Sequence, residues 1–122
     1  MTTLIYLASP YSSADPEVID SRVDAVQRAT AHLIGLGHLI FSPILHSHPI
    51  SHLVPFEPVN LTDTLSEWMR YDFGILGKCD ELWVLELDGW DRSKGVAMEI
   101  AYAGNKPMPI RRVSYPECDI YE

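Results

Sequence analysis

The stretch LWVLELDGWDRSKGVAMEIAYA, residues 82–103, decides how this chain folds. It opens on the apolar run Leu82-Trp83-Val84-Leu85, which is typical of a strand buried on both faces. A polar loop that contains glycine follows, and apolar residues then return at helical spacing from Val96 onward. The stretch therefore predicts a strand, a loop and a helix in succession, with the helix over residues 95–104.

The end of that loop and the start of the helix carry residues suited to an anion. Ser93 and Gly95 stand where free backbone amides at a helix N-terminus can meet a negative charge. Glu99 lies just over one turn further on, so its carboxylate can reach the same crevice. Serine is also a common N-cap, and a helical glutamate is often solvated, so both residues have a purely structural interpretation as well. The apolar neighbours of Glu99 leave little room for an exposed face, which argues against a solvated Glu99. An anion-binding turn and a carboxylate this close together favour a phosphorylated substrate attacked by Glu99.

The rest of the chain repeats the alternation of strand and helix. Residues 4–8 form a nearly all-apolar run, and Asp15-Pro16 is a suitable N-cap and first-turn pair for a helix that ends at Gly35 and Gly37. The other predicted elements are a strand at Leu39-Ile40-Phe41 that stops at Ser42-Pro43, a helix from about Thr62 to Leu76 with Leu65, Trp68, Met69, Phe73 and Leu76 as its core face, and a strand that begins at Met108-Pro109-Ile110. Its two prolines predict that this last strand lies at an edge.

This order predicts an α/β fold of a single domain, residues 1–122. We expect a three-layer sandwich in which a parallel sheet of four to five strands carries helices on both faces. Ligands of such sheets bind beyond the carboxyl ends of the strands, near the point where the strand order reverses. Tyr11 and Ser12 follow one strand and residues 88–95 follow another, so we expect both loops at this rim, with Tyr6 close by inside the first strand.

Composition limits the classes of partner. The 122 residues carry nine basic and seventeen acidic side chains, a formal net charge of −8, which argues against a nucleic-acid polymer or an anionic membrane surface. Cys79 and Cys118 are too few for a disulfide framework and fit no metal-ligand spacing. No apolar run approaches the roughly 20 residues that span a bilayer, and the N-terminus has no secretory pattern. We therefore expect a cytoplasmic protein.

Three motifs together resemble the nucleoside 2-deoxyribosyltransferase superfamily. They are Ile5-Tyr6-Leu7-Ala8 near the start, Tyr71-Asp72 in a middle helix, and Gly-Val-Ala-Met-Glu-Ile-Ala-Tyr-Ala at residues 95–103. They occur in the family's order over most of the chain. The resemblance implies a flavodoxin-like fold, assembly as a homodimer or larger homo-oligomer, and cleavage of the bond between a base and the C1′ carbon of deoxyribose.

The resemblance also assigns roles to particular residues. It implies that Glu99 is the nucleophile, that Tyr6 orients it, and that Asp72 faces the base as the acid, which requires burial to raise the pKa of Asp72. The transferases carry an aspartate six residues before the nucleophile, where it binds the sugar hydroxyls, and this chain has Ser93 there. Ser93 with Gly95 is the pattern of relatives that hydrolyse nucleoside 5′-monophosphates. The resemblance thus favours hydrolysis of the N-glycosidic bond of a (deoxy)nucleoside 5′-monophosphate, without a metal or organic cofactor.

Further side chains are candidates for substrate binding. Ser9, Ser12 or Ser13 could complete a phosphate site, and His46 or His48 could line a base pocket under a lid formed by the proline-rich segment 43–61. Three more residues have both structural and binding interpretations, namely Trp68 and Trp90, which could stack on a base or pack in the core, and Asp91, which could contact the sugar.

Three alternatives remain open at this stage. A second base instead of water could intercept the intermediate, which would make the protein a deoxyribosyltransferase. The crevice could instead serve a nucleotide-binding or sensing module without turnover. A zinc site built from His46, His48 and His52, with Glu57 or an aspartate as the fourth ligand, is a further possibility, although the irregular spacing does not match closed zinc sites.

Overall fold

A computed structural model describes residues 2–56 and 66–122 of the chain. These residues form one five-stranded sheet in the order β2-β1-β3-β4-β5. The first four strands pair in parallel and β5 pairs antiparallel to β4. The strands are β1 (Leu4–Ala8), β2 (Leu39–Phe41), β3 (Glu81–Leu85), β4 (Ile110–Val113) and β5 (Ile120–Tyr121).

Four α-helices connect the strands in the described part of the chain. They are α1 (Pro16–Gly35), α2 (Pro43–Ser47), α3 (Glu67–Leu76) and α4 (Lys94–Asn105), and short 3₁₀ helices cover His48–Ile50 and Trp90–Arg92. The predicted α/β architecture is confirmed, because the sheet has helices on both faces and the strand order is that of flavodoxin-like folds.

The alternation of side chains along β1 divides the core into two layers. Ile5 and Leu7 point to the face covered by α1, where they pack with buried residues such as Leu33. Tyr6 and Ala8 point to the opposite face, where α3 and α4 cover them. Because both faces of β1 are buried, its apolar run carries no period-2 pattern.

Two of the predicted helix starts are present in the structure. The Asp15 carboxylate accepts a hydrogen bond from the Glu17 amide at 2.9 Å, so α1 begins with the expected cap and Pro16. The Ser93 Oγ accepts from the Val96 amide at 3.2 Å, so Ser93 caps α4.

The segment between β2 and α3 differs from its sequence interpretation. Ser42-Pro43 was expected to open a long irregular loop, but Ser42 is the N-cap of α2 and Pro43 is its first residue. The helix predicted from about Thr62 begins at Glu67, with the Ser66 Oγ accepting from the Met69 amide at 3.1 Å. Residues 62–65, including the predicted core residue Leu65, lie outside the described residues. Ser42 caps α2 and Ser66 caps α3, and the sequence interpretation did not identify either serine as a cap.

The prediction that β4 is an edge strand is wrong. Pro107 and Pro109 precede β4, which begins at Ile110, so neither proline removes a hydrogen-bond donor from it. The Pro109 carbonyl still accepts from the Leu82 amide at 3.0 Å. The short strand β5 covers the free side of β4 and is held by an ion pair of 3.0 Å between Arg111 and Glu122.

No helix in residues 2–56 or 66–122 is long and apolar enough to cross a membrane.

Within the sheet, the chain leaves β1 for β2 on one side and reaches β3 on the other. The strand order therefore reverses between β1 and β3. The loops that follow these two strands diverge there, and a crevice opens at their carboxyl ends.

Candidate active site

A cavity of about 640 Å³ lies at the carboxyl ends of β1, β2 and β3. The loop after β1 contributes Ser9 to Ser12, and the segment after β2 contributes residues from Pro43 onward. The loop after β3 and the first turns of α3 and α4 complete the lining. This volume falls within the range of small-molecule sites, roughly 300–1,000 Å³.

Glu99 lines the cavity and is hydrogen-bonded from behind by Tyr6, which does not line it. The Tyr6 hydroxyl, on the fully buried strand β1, donates a hydrogen bond to Oε2 of Glu99 on α4. Burial, and then the negative charge of Glu99, raise the pKa of Tyr6 far above its ordinary value, so the phenol keeps its proton and remains a donor. Glu99 itself is buried yet lines the cavity, so one carboxylate oxygen is held by Tyr6 while the carboxyl group faces the ligand space.

Asp72 brings a second carboxyl group to the same space. It lies on α3 and lines the cavity together with Glu99. Burial raises the pKa of Asp72 to about 7. Burial also raises the pKa of Glu99 to about 8, while the Tyr6 hydrogen bond lowers it and the charge of Asp72 raises it. The two carboxyl groups therefore interact, and near neutral pH their site favours one shared proton over two charges.

One end of the cavity has groups that suit an anion. Lys94 and Gly95, in the first turn of α4, line it together with the cap residue Ser93. The amides of Lys94 and Gly95 are the ones that can meet a ligand there, because the Ser93 amide donates to the Trp90 carbonyl at 3.4 Å. The Ser93 Oγ accepts a hydrogen bond as the cap of α4, so its hydroxyl proton is still available to a ligand. The Ser9 hydroxyl is buried at the cavity wall and has no hydrogen-bond partner among the described residues. A buried hydroxyl of this kind is normally satisfied, which indicates a ligand atom or water as its partner.

Three of the chain's nine basic side chains line this cavity, and none of them was predicted from the sequence as a binding residue. Arg22 projects from α1 and donates to the Ser12 carbonyl at 2.9 Å and to the Asp88 carbonyl at 3.4 Å, so it joins the loops after β1 and β3. Arg92 and Lys94 come from the loop and helix after β3. In a protein of net charge −8 these three side chains bring positive charge to one part of the cavity, where Arg92 also pairs with Asp88 and Asp91 at 3.6 and 3.7 Å.

The remaining wall is largely apolar. Trp68 and Met69, which the sequence predicted as core residues of α3, are only partly buried and line the cavity. Ile44, Phe56 and Met98 extend this surface, and the Phe56 and Trp68 rings meet edge to face with centroids 4.9 Å apart. Such a surface suits a flat, weakly polar group like a nucleobase.

Three predicted binding residues do not line the cavity, and these predictions need correction. His46 stacks on Tyr71, with ring centroids 5.8 Å apart, on the outer side of the α2 segment. The Trp90 indole packs against the core beneath α4. Asp91 is exposed and lies 3.7 Å from Arg92, outside the lining. Each residue is next to a lining residue in sequence, but the local backbone turns its side chain away.

The zinc interpretation gains no geometric support in the described part of the chain. There, no group of three or more histidine, cysteine, aspartate or glutamate side chains is placed to hold a metal ion. His48 is engaged with Tyr11, whose hydroxyl lies 2.7 Å from its Nδ1 atom. Glu57, the proposed fourth ligand, lies outside the described residues.

The loop glycine Gly89 permits the close approach of Arg22. Gly89 has φ +92°, and a Cβ atom on it would lie 2.7 Å from Nη2 of Arg22. We expect Gly89→Ala to lower the free energy of unfolding by about 1–3 kcal/mol, because a left-handed conformation and a steric clash are both imposed. Urea unfolding followed by circular dichroism measures this.

A matched control is Gly104→Ala on the exposed side of α4. There a Cβ atom would meet nothing within 4 Å, and helical alanine is favoured by up to about 1 kcal/mol over glycine. Equal effects of the two substitutions would contradict the special role of Gly89.

Comparison with known proteins adds a family and a fold. Residues 3–114 match the model of a family described as "Domain of unknown function (DUF1937)". The chain belongs to the DUF1937 family. A comparison of this DUF1937 protein with curated proteins found no match.

A solved structure with the same architecture is that of a 2-deoxyribosyltransferase from Bacillus psychrosaccharolyticus. It is 24% identical in sequence, and the match covers 91% of the DUF1937 chain and 72% of the transferase, with a TM-score of 0.57. At this identity the likeness shows the fold. The predicted Rossmann-like architecture is thus shared with a solved protein.

Proposed function

We propose that this DUF1937 protein hydrolyses the N-glycosidic bond of a nucleoside 5′-monophosphate and releases the free base and a sugar 5-phosphate. One observation carries the proposal. Glu99, which the buried Tyr6 hydroxyl orients, and Asp72 line the same cavity as a group of cations, hydroxyls and helix amides suited to an anion. A nucleotide has a phosphate and a glycosidic carbon only a few bonds apart, so it can occupy both parts together. The likeness to a 2-deoxyribosyltransferase supports the nucleoside part of the substrate.

In the first step Glu99 attacks the C1′ carbon of the sugar. The C1′–N bond breaks, its electron pair goes to the base, and the proton of Asp72 is transferred to the base nitrogen. A new C1′–O bond joins the sugar to Glu99. Tyr6 keeps one Glu99 oxygen hydrogen-bonded, which fixes the orientation of the carboxylate and stabilises its charge. This step needs Glu99 ionised and Asp72 protonated.

The second step releases the sugar. Water attacks C1′, the ionised Asp72 accepts a proton from that water, and the C1′–O bond to Glu99 breaks with its electron pair returning to the carboxylate. The enzyme is then in its starting protonation state. Both steps use only the side chains of the cavity and water.

The anion site distinguishes this proposal from activity on unphosphorylated nucleosides. Arg22, Arg92 and Lys94 supply positive charge, while Ser9 and Ser93 supply hydroxyl donors. A phosphate carries enough acceptor oxygens for several of these groups at once. A neutral 5′-hydroxyl offers these cations no charge, so it gains less from them than a phosphate does. We therefore expect the purified protein to release base from 5′-monophosphates and not from the matching nucleosides, as measured by chromatography of the free base.

A second candidate is base exchange. It is favoured by one observation, the 2-deoxyribosyltransferase fold of the solved relative. Exchange and hydrolysis share the first step and differ in whether a second base or water reaches C1′. Incubation of a deoxynucleoside with an isotope-labelled acceptor base separates them, because only a transferase incorporates the label into a new nucleoside.

Arg22→Ala tests the phosphate site. We expect kcat/KM for a nucleoside 5′-monophosphate to fall by about 10- to 100-fold, the range for loss of hydrogen bonds to a charged group. Arg28→Ala is the matched control, since Arg28 is exposed on the same helix, pairs with exposed Asp24 at 2.9 Å and does not line the cavity. Arg22→Lys keeps the charge but loses the two-loop bridge, so an intermediate effect separates charge from loop positioning. Equal kinetics for the Arg22 and Arg28 variants would remove Arg22 from the site.

We further propose that the protein is a homodimer or a larger homo-oligomer. Exposed apolar side chains support this, among them Leu39 at the start of the edge strand β2 and Leu36 just before it. Sedimentation velocity at micromolar concentration measures the mass, and a monomer at all concentrations would contradict the proposal.

A further inference from the structure

A tyrosine–histidine pair on the cavity wall has no part in the steps described above. The Tyr11 hydroxyl lies 2.7 Å from Nδ1 of His48, and the two rings meet edge to face with centroids 5.6 Å apart. Tyr11 comes from the loop after β1 and His48 from the segment after β2, and both line the cavity. Two separate loops thus position one imidazole at the ligand space.

The direction of this hydrogen bond depends on which nitrogen of His48 carries the proton. A phenol is a stronger donor than a neutral imidazole N–H and an imidazole nitrogen is a stronger acceptor than a phenol oxygen, so we assign the donor to the Tyr11 hydroxyl and the acceptor to Nδ1. In a neutral imidazole one nitrogen accepts and the other carries hydrogen, so the proton lies on Nε2. No hydrogen bond to Nε2 exists within residues 2–56 and 66–122. His48 therefore presents an N–H donor.

The neighbouring polar groups on this wall are already engaged. The Ser51 hydroxyl donates to the His48 carbonyl at 3.1 Å, and the Ser47 Oγ lies 3.2 Å from Nδ1 of His46. The surrounding surface is apolar, with Ile44 and Phe56 in the lining. An oriented N–H donor in apolar surroundings favours a flat ligand that has a hydrogen-bond acceptor at that place.

We propose that the Tyr11–His48 pair selects nucleotides whose base presents a carbonyl oxygen to His48 over nucleotides that present an amino group there. This inference rests on the proposed function, since it names the class of base that the same cavity takes. His48 contacts the base, and Tyr11 is a positioning residue that acts through the imidazole. An amino group would place its hydrogens against the Nε2 hydrogen, whereas a carbonyl accepts it.

Binding to the Glu99→Gln protein tests this without turnover. Calorimetry compares uridine with cytidine 5′-monophosphate and inosine with adenosine 5′-monophosphate, because each pair exchanges a carbonyl for an amino group. We expect the carbonyl member of at least one pair to bind about tenfold more tightly, the value of one neutral hydrogen bond. His48→Phe keeps an aromatic ring without a donor and is expected to abolish the preference.

Two further variants distinguish a donor from a structural role. His48→Gln can place an N–H near the Nε2 position and is expected to keep part of the preference. Tyr11→Phe frees the imidazole to accept at Nε2, so we expect the ratio to move toward the amino bases while both ligands still bind. His52→Phe is the control, since this exposed histidine of the same segment does not line the cavity.

The outcomes separate this inference from the proposed function. Equal affinities within both pairs, or a preference that survives His48→Phe, would overturn the role of His48 whatever the activity. A preference lost in His48→Phe supports it, even if the wild-type protein releases no base from any nucleotide, in which case the hydrolase proposal alone has failed.

Discussion

Glu99→Gln is expected to lower kcat for base release by on the order of 10⁴-fold while nucleotide binding persists, because a neutral amide cannot form the covalent bond to C1′. Glutamine keeps the size of the side chain and an oxygen that can accept from the Tyr6 hydroxyl, so the buried contact survives. Binding energy from the anion site is independent of this substitution. The loss therefore appears in kcat and not in the dissociation constant.

Two measurements check the expectation. Single-turnover kinetics with a radiolabelled nucleotide give the rate, and calorimetry gives the affinity. In the wild-type protein, acid quench and mass spectrometry should find a peptide containing Glu99 with the added mass of the sugar phosphate. The Glu99→Gln peptide should carry no such adduct.

Glu117→Gln is the matched control for the loss of a carboxylate. Glu117 is exposed in the turn before β5 and does not line the cavity, so its substitution should leave kcat unchanged. Residual activity of Glu99→Gln within tenfold of wild type would mean that another group attacks C1′ or that water attacks directly.

The sequence is sufficient to predict most of the fold because its local signals agree with one another. Apolar runs with both faces buried mark β1 and β3, and the caps Asp15 and Ser93 stand at the starts of α1 and α4. Local signals did not predict that β4 lies inside the sheet and not at its edge. Strand β5 has only two residues, and its pairing with β4 depends on a contact such as that between Arg111 and Glu122, which no local pattern reveals.

In the candidate site, too, residues in local motifs could be predicted from the sequence, and residues placed only by the fold could not. The resemblance in three motifs selected Tyr6, Asp72 and Glu99; the structure places Asp72 and Glu99 in the lining of one cavity and Tyr6 in contact with Glu99 behind it. Arg22 could not be selected, because an arginine on an amphipathic helix has no local feature that distinguishes it from the solvated Arg28. Only the fold places the Arg22 side chain between two loops.

The misplaced residues have a related cause. His46 and His48 are two positions apart on a tight helical turn, so their side chains diverge, and the sequence alone does not say which one faces the cavity. An earlier indication was available for His48, because Tyr11 also follows a strand at the same rim. Loops that follow parallel strands meet at the same edge of the sheet, so a contact between Tyr11 and His48 could be predicted from the sequence. A search for local motifs does not reveal such a contact.

Asp72→Asn is expected to lower kcat/KM for a nucleotide with a poor leaving group by about 10²- to 10⁴-fold, the usual contribution of a general acid. Asparagine cannot transfer a proton to the departing base. The loss should be smaller for a 5-fluorouracil nucleotide than for a uracil nucleotide, because the fluorinated base leaves more readily as an anion. Asp20→Asn, at an exposed position of α1 outside the cavity lining, is the control and should change neither rate.

The dependence of kcat/KM on pH provides a second test of the role of Asp72. Burial raises the pKa of Asp72 to about 7 and that of Glu99 to about 8, so a single proton on the pair favours Glu99. The active form carries that proton on Asp72 instead and is the less populated arrangement, which the hydrogen bond from Tyr6 to the Glu99 carboxylate stabilises. At low pH both carboxyls are protonated and Glu99 cannot attack, so kcat/KM of the wild type falls. As pH rises through this range the pair loses its last proton, the acid is gone, and kcat/KM falls again.

In Asp72→Asn the fall at high pH should disappear, since the variant has no acidic proton at residue 72 to lose. The fall at low pH should remain, since Glu99 must still ionise before it attacks. A merely structural role of Asp72 would lower the whole profile and leave both limbs in place. If the alkaline limb persists in the variant, the proton reaches the base from another group, and Asp72 only shapes the cavity around it.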